Sequence, residues 1–207
     1  MRWWSVAGGL TLIAASGLGA QQVPGPSFRQ VLELRSVGSP AIAPDGRSVA
    51  YTVRSANWAD NRYDSEVWLW REGRGAIQLT RTPKGGSSSP AWSPDGRWIG
   101  FLADRGDGRQ LYLISPDGGE ALKLTWRKGG VSDFAWAPDS RRVALLIQDQ
   151  ETGADKTREK LYGDYAVEDH EYRQSHLWVM DVDPTRWSPD TTTAPKPARL
   201  KIGRAHV

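Results

Sequence analysis

Apolar and polar residues alternate with a period of two in short runs along most of the chain, and glycine and proline punctuate those runs. Val49, Tyr51 and Val53 alternate with Ala50; Ile99 and Phe101 with Gly100; Val143, Leu145 and Ile147 with Ala144. Both parities are apolar or small, as in strands covered on both faces. The recurring small positions, Ala50, Gly100 and Ala144, predict a face pressed closely against a neighbouring sheet. A second set of strand-like runs, at 67–70, 110–114 and 176–180, leads in each case to another at 77–80, 122–125 and 198–200. The pattern predicts an all-β chain of short antiparallel strands.

The runs are organised by a repeat. Ser39-Pro40-Ala41-Ile42-Ala43-Pro44-Asp45-Gly46-Arg47 returns as Ser89-Pro90-Ala91-Trp92-Ser93-Pro94-Asp95-Gly96-Arg97, and again as Asp133-Phe134-Ala135-Trp136-Ala137-Pro138-Asp139-Ser140-Arg141. The interval is 50 residues from Asp45 to Asp95 and 44 from Asp95 to Asp139, the length of a four-stranded propeller blade. In the first two copies proline sets φ at the second position of a type I turn and glycine is free to take positive φ at the fourth. Ser140 breaks the pattern, and a left-handed non-glycine residue costs about 1–2 kcal/mol. The repeat turns Pro44, Asp45, Gly46, Pro94, Asp95, Gly96, Pro138, Asp139 and Ser140 therefore mark about three WD-like, TolB-like blades, at 39–88, 89–131 and 132–201, preceded by a lead-in at 21–38. Three blades do not close a ring, so the face of the last one, around Val143, Leu145 and Ile147, is expected to lie uncovered. Blade three carries a charged insertion at 148–175, blade one a smaller one at 55–66.

The two ends read differently from the middle. Arg2, an apolar run at 6–18 and the small residues Gly17, Gly19 and Ala20 have the order of a secretory signal peptide at 1–20, which implies a periplasmic or secreted protein. Residues 202–207 translate back into a sequencing-adapter stem, so the chain is expected to continue beyond Lys201. Without Arg2 and Arg204, 25 Lys and Arg stand against 24 Asp and Glu, interspersed along the chain. No clustered basic face points to nucleic acid, and the membrane is expected to be met only through the signal segment. With 0 cysteines the fold depends on its core.

The candidate chemistry is sparse. His170 and His176 flank acidic residues without a third ligand at metal spacing. Glu168 and Glu171 fit a solvated face. Asp104-Arg105-Gly106-Asp107-Gly108 joins two strand patterns and fits a polar hairpin loop better than an adhesive or calcium motif. Most tryptophans fall in apolar runs and read as blade core. No catalytic, cofactor or metal residue is expected, and no G-x-S-x-G nucleophile elbow occurs.

The three Pro-Asp-Gly/Ser-Arg repeats, the 58–64 insertion, the Ser-rich stretch at 85–90 and the insertion from Tyr162-Gly163-Asp164 to Tyr172-Arg173 resemble the propeller of secreted bacterial prolyl oligopeptidase family enzymes, of dipeptidyl-peptidase or acylaminoacyl-peptidase type. The resemblance covers residues 28–201. It implies a C-terminal α/β-hydrolase domain in the parent chain as partner, with peptide substrates whose access the propeller caps and filters; a homo-oligomer is left open. The alternative is a TolB-like or other protein-binding propeller scaffold. In TolB an α/β domain comes before the propeller, whereas here only 21–38 separate the signal from the first repeat.

Overall fold

A computed structural model of the chain describes residues 25–82, 85–127, 129–148, 157, 160–161, 175–182 and 198–199. The signal segment, His170, Glu168, Glu171, nearly all of the 148–175 insertion and residues 202–207 lie outside them. The chain divides into two units after Leu32. In the first, helix α1 (Phe28–Leu32) starts with a capping box. The Ser27 amide donates to Gln30 Oε1 at 2.7 Å, and the Gln30 amide donates to Ser27 Oγ at 3.3 Å.

The second unit holds three antiparallel four-stranded sheets, each built from four consecutive strands in chain order. Blade one is β1 (Ser36–Ile42), β2 (Ser48–Asn57), β3 (Arg62–Arg71) and β4 (Gly75–Gln78). Blade two is β5 (Ser87–Trp92), β6 (Ile99–Asp104), β7 (Arg109–Ile114) and β8 (Leu122–Lys123). Blade three is β9 (Asp133–Trp136), β10 (Arg142–Gln148), β11 (Ser175–Asp181) and β12 (Ala198–Arg199). This is an open, partial β-propeller.

β1 begins inside the segment read as lead-in, and β5 begins before the second Ser-Pro. The reason is a bulge. Ser39 and Ser89 take φ of 47° and 53°, and the pairing shifts register between Gly38 and Ala41 and between Ser88 and Ala91. Proline has no amide to donate to a ladder, so Ser-Pro is the interruption within the strand and not its start. Blade three, with Asp133-Phe134 there, pairs without a shift.

Residues 55–66, expected as an insertion, are a lengthened hairpin. β2 and β3 pair without a break from Ser48↔Arg71 to Asn57↔Arg62, while β6 and β7 pair only from Ile99↔Ile114 to Asp104↔Arg109. The tip is locked: the Asn57 side-chain amide donates to Asp60 at 3.1 Å and to Asp64 at 2.7 Å, and Arg62 pairs with Asp64 at 2.9 Å.

Strand parity decides the cores. Ile99, Phe101, Tyr112 and Ile114 of blade two pack on Ala50, Val67 and Leu69 of blade one. Leu102, Leu111 and Leu113, on the opposite face, pack with Val143, Leu145, Ile147 and Met180 of blade three. The expectation that Val143, Leu145 and Ile147 lie uncovered is therefore corrected. They are 0%, 1% and 4% exposed and face backward onto blade two. The large residues after each turn face the preceding blade, and the small ones alternating with them face the following blade. The open faces are thus the large-residue face of blade one, with Ile42 at 69% and Trp70 at 43% exposure, and the small-residue face of blade three, with Ala135, Ala144 and Leu146.

Candidate functional site

The three repeat turns close in the same way. Gly46 donates to the Ala43 carbonyl at 2.9 Å, Gly96 to Ser93 at 2.8 Å and Ser140 to Ala137 at 3.0 Å. The aspartate of each turn accepts the amide two residues on: Arg47 to Asp45 at 2.9 Å, Arg97 to Asp95 at 3.1 Å, Arg141 to Asp139 at 2.9 Å. The three carboxylates are thereby committed to their own turns. The Arg141 amide, followed by the side chain of Arg142, holds the Asp139 carboxyl below its ordinary value. A lowered pKa means that this contribution is present at neutral pH and is lost as the pH falls through the lowered value.

What joins the blades is a small set of polar bonds over apolar packing. The Trp92 indole N–H donates to the Ala41 carbonyl at 3.0 Å, and the Trp136 indole N–H donates to the Ala91 carbonyl at 3.2 Å. The two bonds are equivalent in the repeat. Each runs from a side chain of the following blade to the main chain of the preceding one. Sequence reasoning placed these tryptophans in the core but missed the bond; their recurrence just before the turn was the available signal.

Ser140, the departure from glycine, has its own bond across a seam. It sits at φ 58°, and its hydroxyl accepts the Asp95 amide at 2.9 Å. A hydrogen bond of about 1 kcal/mol offsets most of the backbone cost. Ser140→Ala keeps the strained backbone and loses the bond, so a loss of about 1 kcal/mol is expected in urea unfolding. Ser140→Gly loses both together and should stay within about 0.5 kcal/mol of the parent.

At the corresponding place in the first seam stands Gly96, and that seam is more open there. A cleft of about 780 Å³ is lined by Pro44, Asp45, Arg47, Arg71, Trp92 and Asp95 among others. Arg71 bridges the two blades by pairing with Asp117 at 3.0 Å. The cleft carries both signs of charge.

A second repeated device clamps the strand that follows each blade's third. In blade one, Glu66 accepts the Thr80 hydroxyl at 2.5 Å and the Thr82 amide at 2.6 Å, while Thr80 Oγ1 accepts the Val67 amide at 2.8 Å. In blade two, Gln110 Oε1 accepts the Thr125 hydroxyl at 2.7 Å and the Arg127 amide at 3.0 Å, and Thr125 Oγ1 accepts the Leu111 amide at 2.9 Å. His176 holds the equivalent position in β11, half-buried. Among the described residues no cluster of His, Asp and Glu is arranged to hold a metal ion.

The 104–108 segment is the hairpin loop between β6 and β7. Its three outward charges are engaged: Asp104 accepts the Gly106 amide at 2.9 Å, Arg105 stacks 4.5 Å from the Tyr112 ring, and Asp107 pairs with Lys123. Burial pushes the Tyr112 phenol above its ordinary value, and Arg105 pulls it partly back. Tryptophans do not all serve the core. Trp58 and Trp126 are 48% and 40% exposed. No helix among the described residues is long and apolar enough to cross a membrane.

The fold and seams define a β-propeller segment, and comparison with known proteins gives it relatives. The chain is 44% identical over 92 residues to the uncharacterized peptidase YuxL of Bacillus subtilis, which is 44% of this chain and 14% of that protein. It is 31% identical over 81 residues to dipeptidyl-peptidase 5 of Porphyromonas gingivalis, 39% of this chain and 12% of that protein. The matched segments are a small part of these relatives. Among solved structures, AtxE2 isopeptidase matches with a TM-score of 0.60 at 19% identity, over 80% of this chain and 34% of its own. The acylaminoacyl peptidase of Pyrococcus horikoshii matches at 0.56 and 20% identity, over 73% and 24%. TolB of Acinetobacter baumannii matches at 0.51 and 16% identity, over 79% and 32%. These structures show the fold alone. No protein-family model matches. The resemblance to the N-terminal propeller part of prolyl oligopeptidase family peptidases rests on the relatives named as peptidases together with this fold.

Proposed function

We propose that this chain is the non-catalytic propeller of an exported serine peptidase, and that it caps the active site of an α/β-hydrolase domain following it in the parent and filters the peptides that reach it. The observation that carries the reading is the 44% identity to a peptidase across 92 residues, joined to a blade array whose repeat-turn carboxylates are taken up by their own turns and whose Arg71 and Asp117 pair across a seam. A sheet stack of this kind supplies walls and rims, and the nucleophile comes from elsewhere. Export rests on the charge, apolar stretch and small-residue order at 1–20.

A fluorophosphonate probe tests the division of labour. The 207-residue chain should take no label at any serine, and the full parent should label once, within its hydrolase domain. A parent that contains no reactive serine sinks the reading in favour of a TolB-like scaffold. Filtering is tested by deleting the propeller from the parent: cleavage of large unfolded polypeptides should rise relative to cleavage of short peptides. An unchanged ratio removes the filter.

A further inference from the structure

Four Asp-Gly dipeptides occur in the chain, at Asp45-Gly46, Asp95-Gly96, Asp107-Gly108 and Asp117-Gly118. All four carry the same intrinsic chemistry. The glycine amide nitrogen can close a five-membered ring on the side-chain carboxyl carbon of the aspartate before it, and glycine has no side chain to hinder the approach. The fold treats the four differently. Gly46, Gly96 and Gly118 each donate their amide to the carbonyl three residues back, to Ala43 at 2.9 Å, Ser93 at 2.8 Å and Ser115 at 2.9 Å. That bond closes a β-turn and aims the nitrogen at the carbonyl of the turn's first residue. The carboxylates are held as well. Asp45 and Asp95 accept the amides of Arg47 and Arg97, and Asp117 pairs with Arg71. Asp107-Gly108 has no such turn. It lies in the loop between β6 and β7 with Gly108 at φ 82°, and among the described residues no group accepts the Gly108 amide. A Cβ on Gly108 would meet nothing within 4 Å, and the Asp107 side chain is half exposed.

We propose that Asp107-Gly108 is a site of spontaneous aspartate isomerisation, and that the hydrogen bonds of the three turns protect the other Asp-Gly pairs from it. In the first step the Gly108 nitrogen attacks the Asp107 side-chain carboxyl carbon. A new N–C bond forms, the nitrogen gives up its proton and the carboxyl gives up one oxygen, so one water leaves and a succinimide remains. Water then adds back to one of the two ring carbonyls. Opening at the side-chain carbonyl restores aspartate. Opening at the main-chain carbonyl leaves the chain running through the side-chain methylene as isoaspartate, with no net change in mass. The sequence of steps needs water alone, with no oxidant, reductant or enzyme. Its product puts one extra carbon into the backbone of a short loop closed by the Asp104↔Arg109 pair, and it shifts the carboxylate that faces Lys123.

Asparagine reports on the same ring closure, because it loses ammonia through the same succinimide and the mass change is read directly. Asp107→Asn and Asp45→Asn are therefore aged side by side, in buffer at neutral pH and in urea. The asparagine Oδ1 at 45 can still accept the Arg47 amide, so the turn is kept in buffer. In buffer Asp107→Asn should lose its amide at least tenfold faster than Asp45→Asn. In urea, where turn and loop are both lost, the two rates should converge. A ratio in buffer no larger than the ratio in urea overturns the proposal, since the fold would then not be choosing between the sites. In the unaltered chain, labelling by L-isoaspartyl methyltransferase followed by peptide mapping should place isoaspartate at 107. Equal labelling at 45, 95 or 117 also overturns it.

Discussion

Gly100→Val is expected to unseat blade three from blade two and to lower stability by about 2–3 kcal/mol, the range for forcing bulk into a packed core. Gly100 lies in β6 on the face toward blade three. A Cβ there would meet Phe134 Cε2 at 2.8 Å, Cζ at 3.0 Å and the Trp136 indole nitrogen at 3.3 Å. None of the three can move away cheaply. Phe134 is half-buried against the core between blades two and three, and the Trp136 nitrogen is held by the Ala91 carbonyl. A valine therefore strains the apolar contact and the indole bond together. The diagnostic experiment is a double-mutant cycle. Gly100→Ala alone should be destabilising, and in a Phe134→Leu background its cost should fall by about 1 kcal/mol or more. Purely additive effects in urea unfolding would mean that the ring and the glycine do not share the space.

Glu66→Leu is the second large effect, with an expected loss of about 2–3 kcal/mol. The carboxylate gathers the Thr80 hydroxyl and the Thr82 amide, and Thr82 in turn shares a hydrogen bond of 3.0 Å with Ser87 at the start of blade two. Leucine leaves buried donors without acceptors at the point where the chain passes from one blade to the next. Glu66→Gln should stay within about 1 kcal/mol of the parent, because blade two uses a glutamine for the same clamp. Thermal melts of the two variants side by side decide it. A glutamine as damaging as leucine would show that the negative charge matters, and not the acceptor geometry.

Much of this architecture is readable in the residues before any coordinate is known. The Pro-Asp-Gly turns, the alternation after them and the blade period all follow from local rules: fixed φ at proline, free φ at glycine, period two in a strand. What local rules do not carry is direction. The alternation of Val143 with Ala144 says that both faces are covered, but not which one meets the preceding blade; that follows from the order in which sheets stack. The same gap hid the seam bonds, because an indole N–H and a main-chain carbonyl about 45 residues apart leave no mark beyond the recurrence of tryptophan itself. The clamp was legible in principle. Glu66 and Gln110 each precede an apolar run, and each meets a Leu-Thr pair further on, at Thr80 and Thr125. Ser39-Pro40 and Ser89-Pro90 were read as the opening of each repeat, although a proline inside a strand-like run is itself the signature of a bulge.

Each sheet uses four consecutive strands, and the indole donor of each seam comes from the later of the two blades. During synthesis this gives the stack a direction. A blade that has left the ribosome already displays its acceptors, Ala41 or Ala91, as part of its own ladder, and waits for nothing upstream. The next blade, roughly 2–10 s behind it at about 5–20 residues per second, arrives carrying the group that recognises it. Assembly can thus proceed as a one-way ratchet from the N-terminal side. Each new sheet is checked against a finished template instead of against a partner that is still being made.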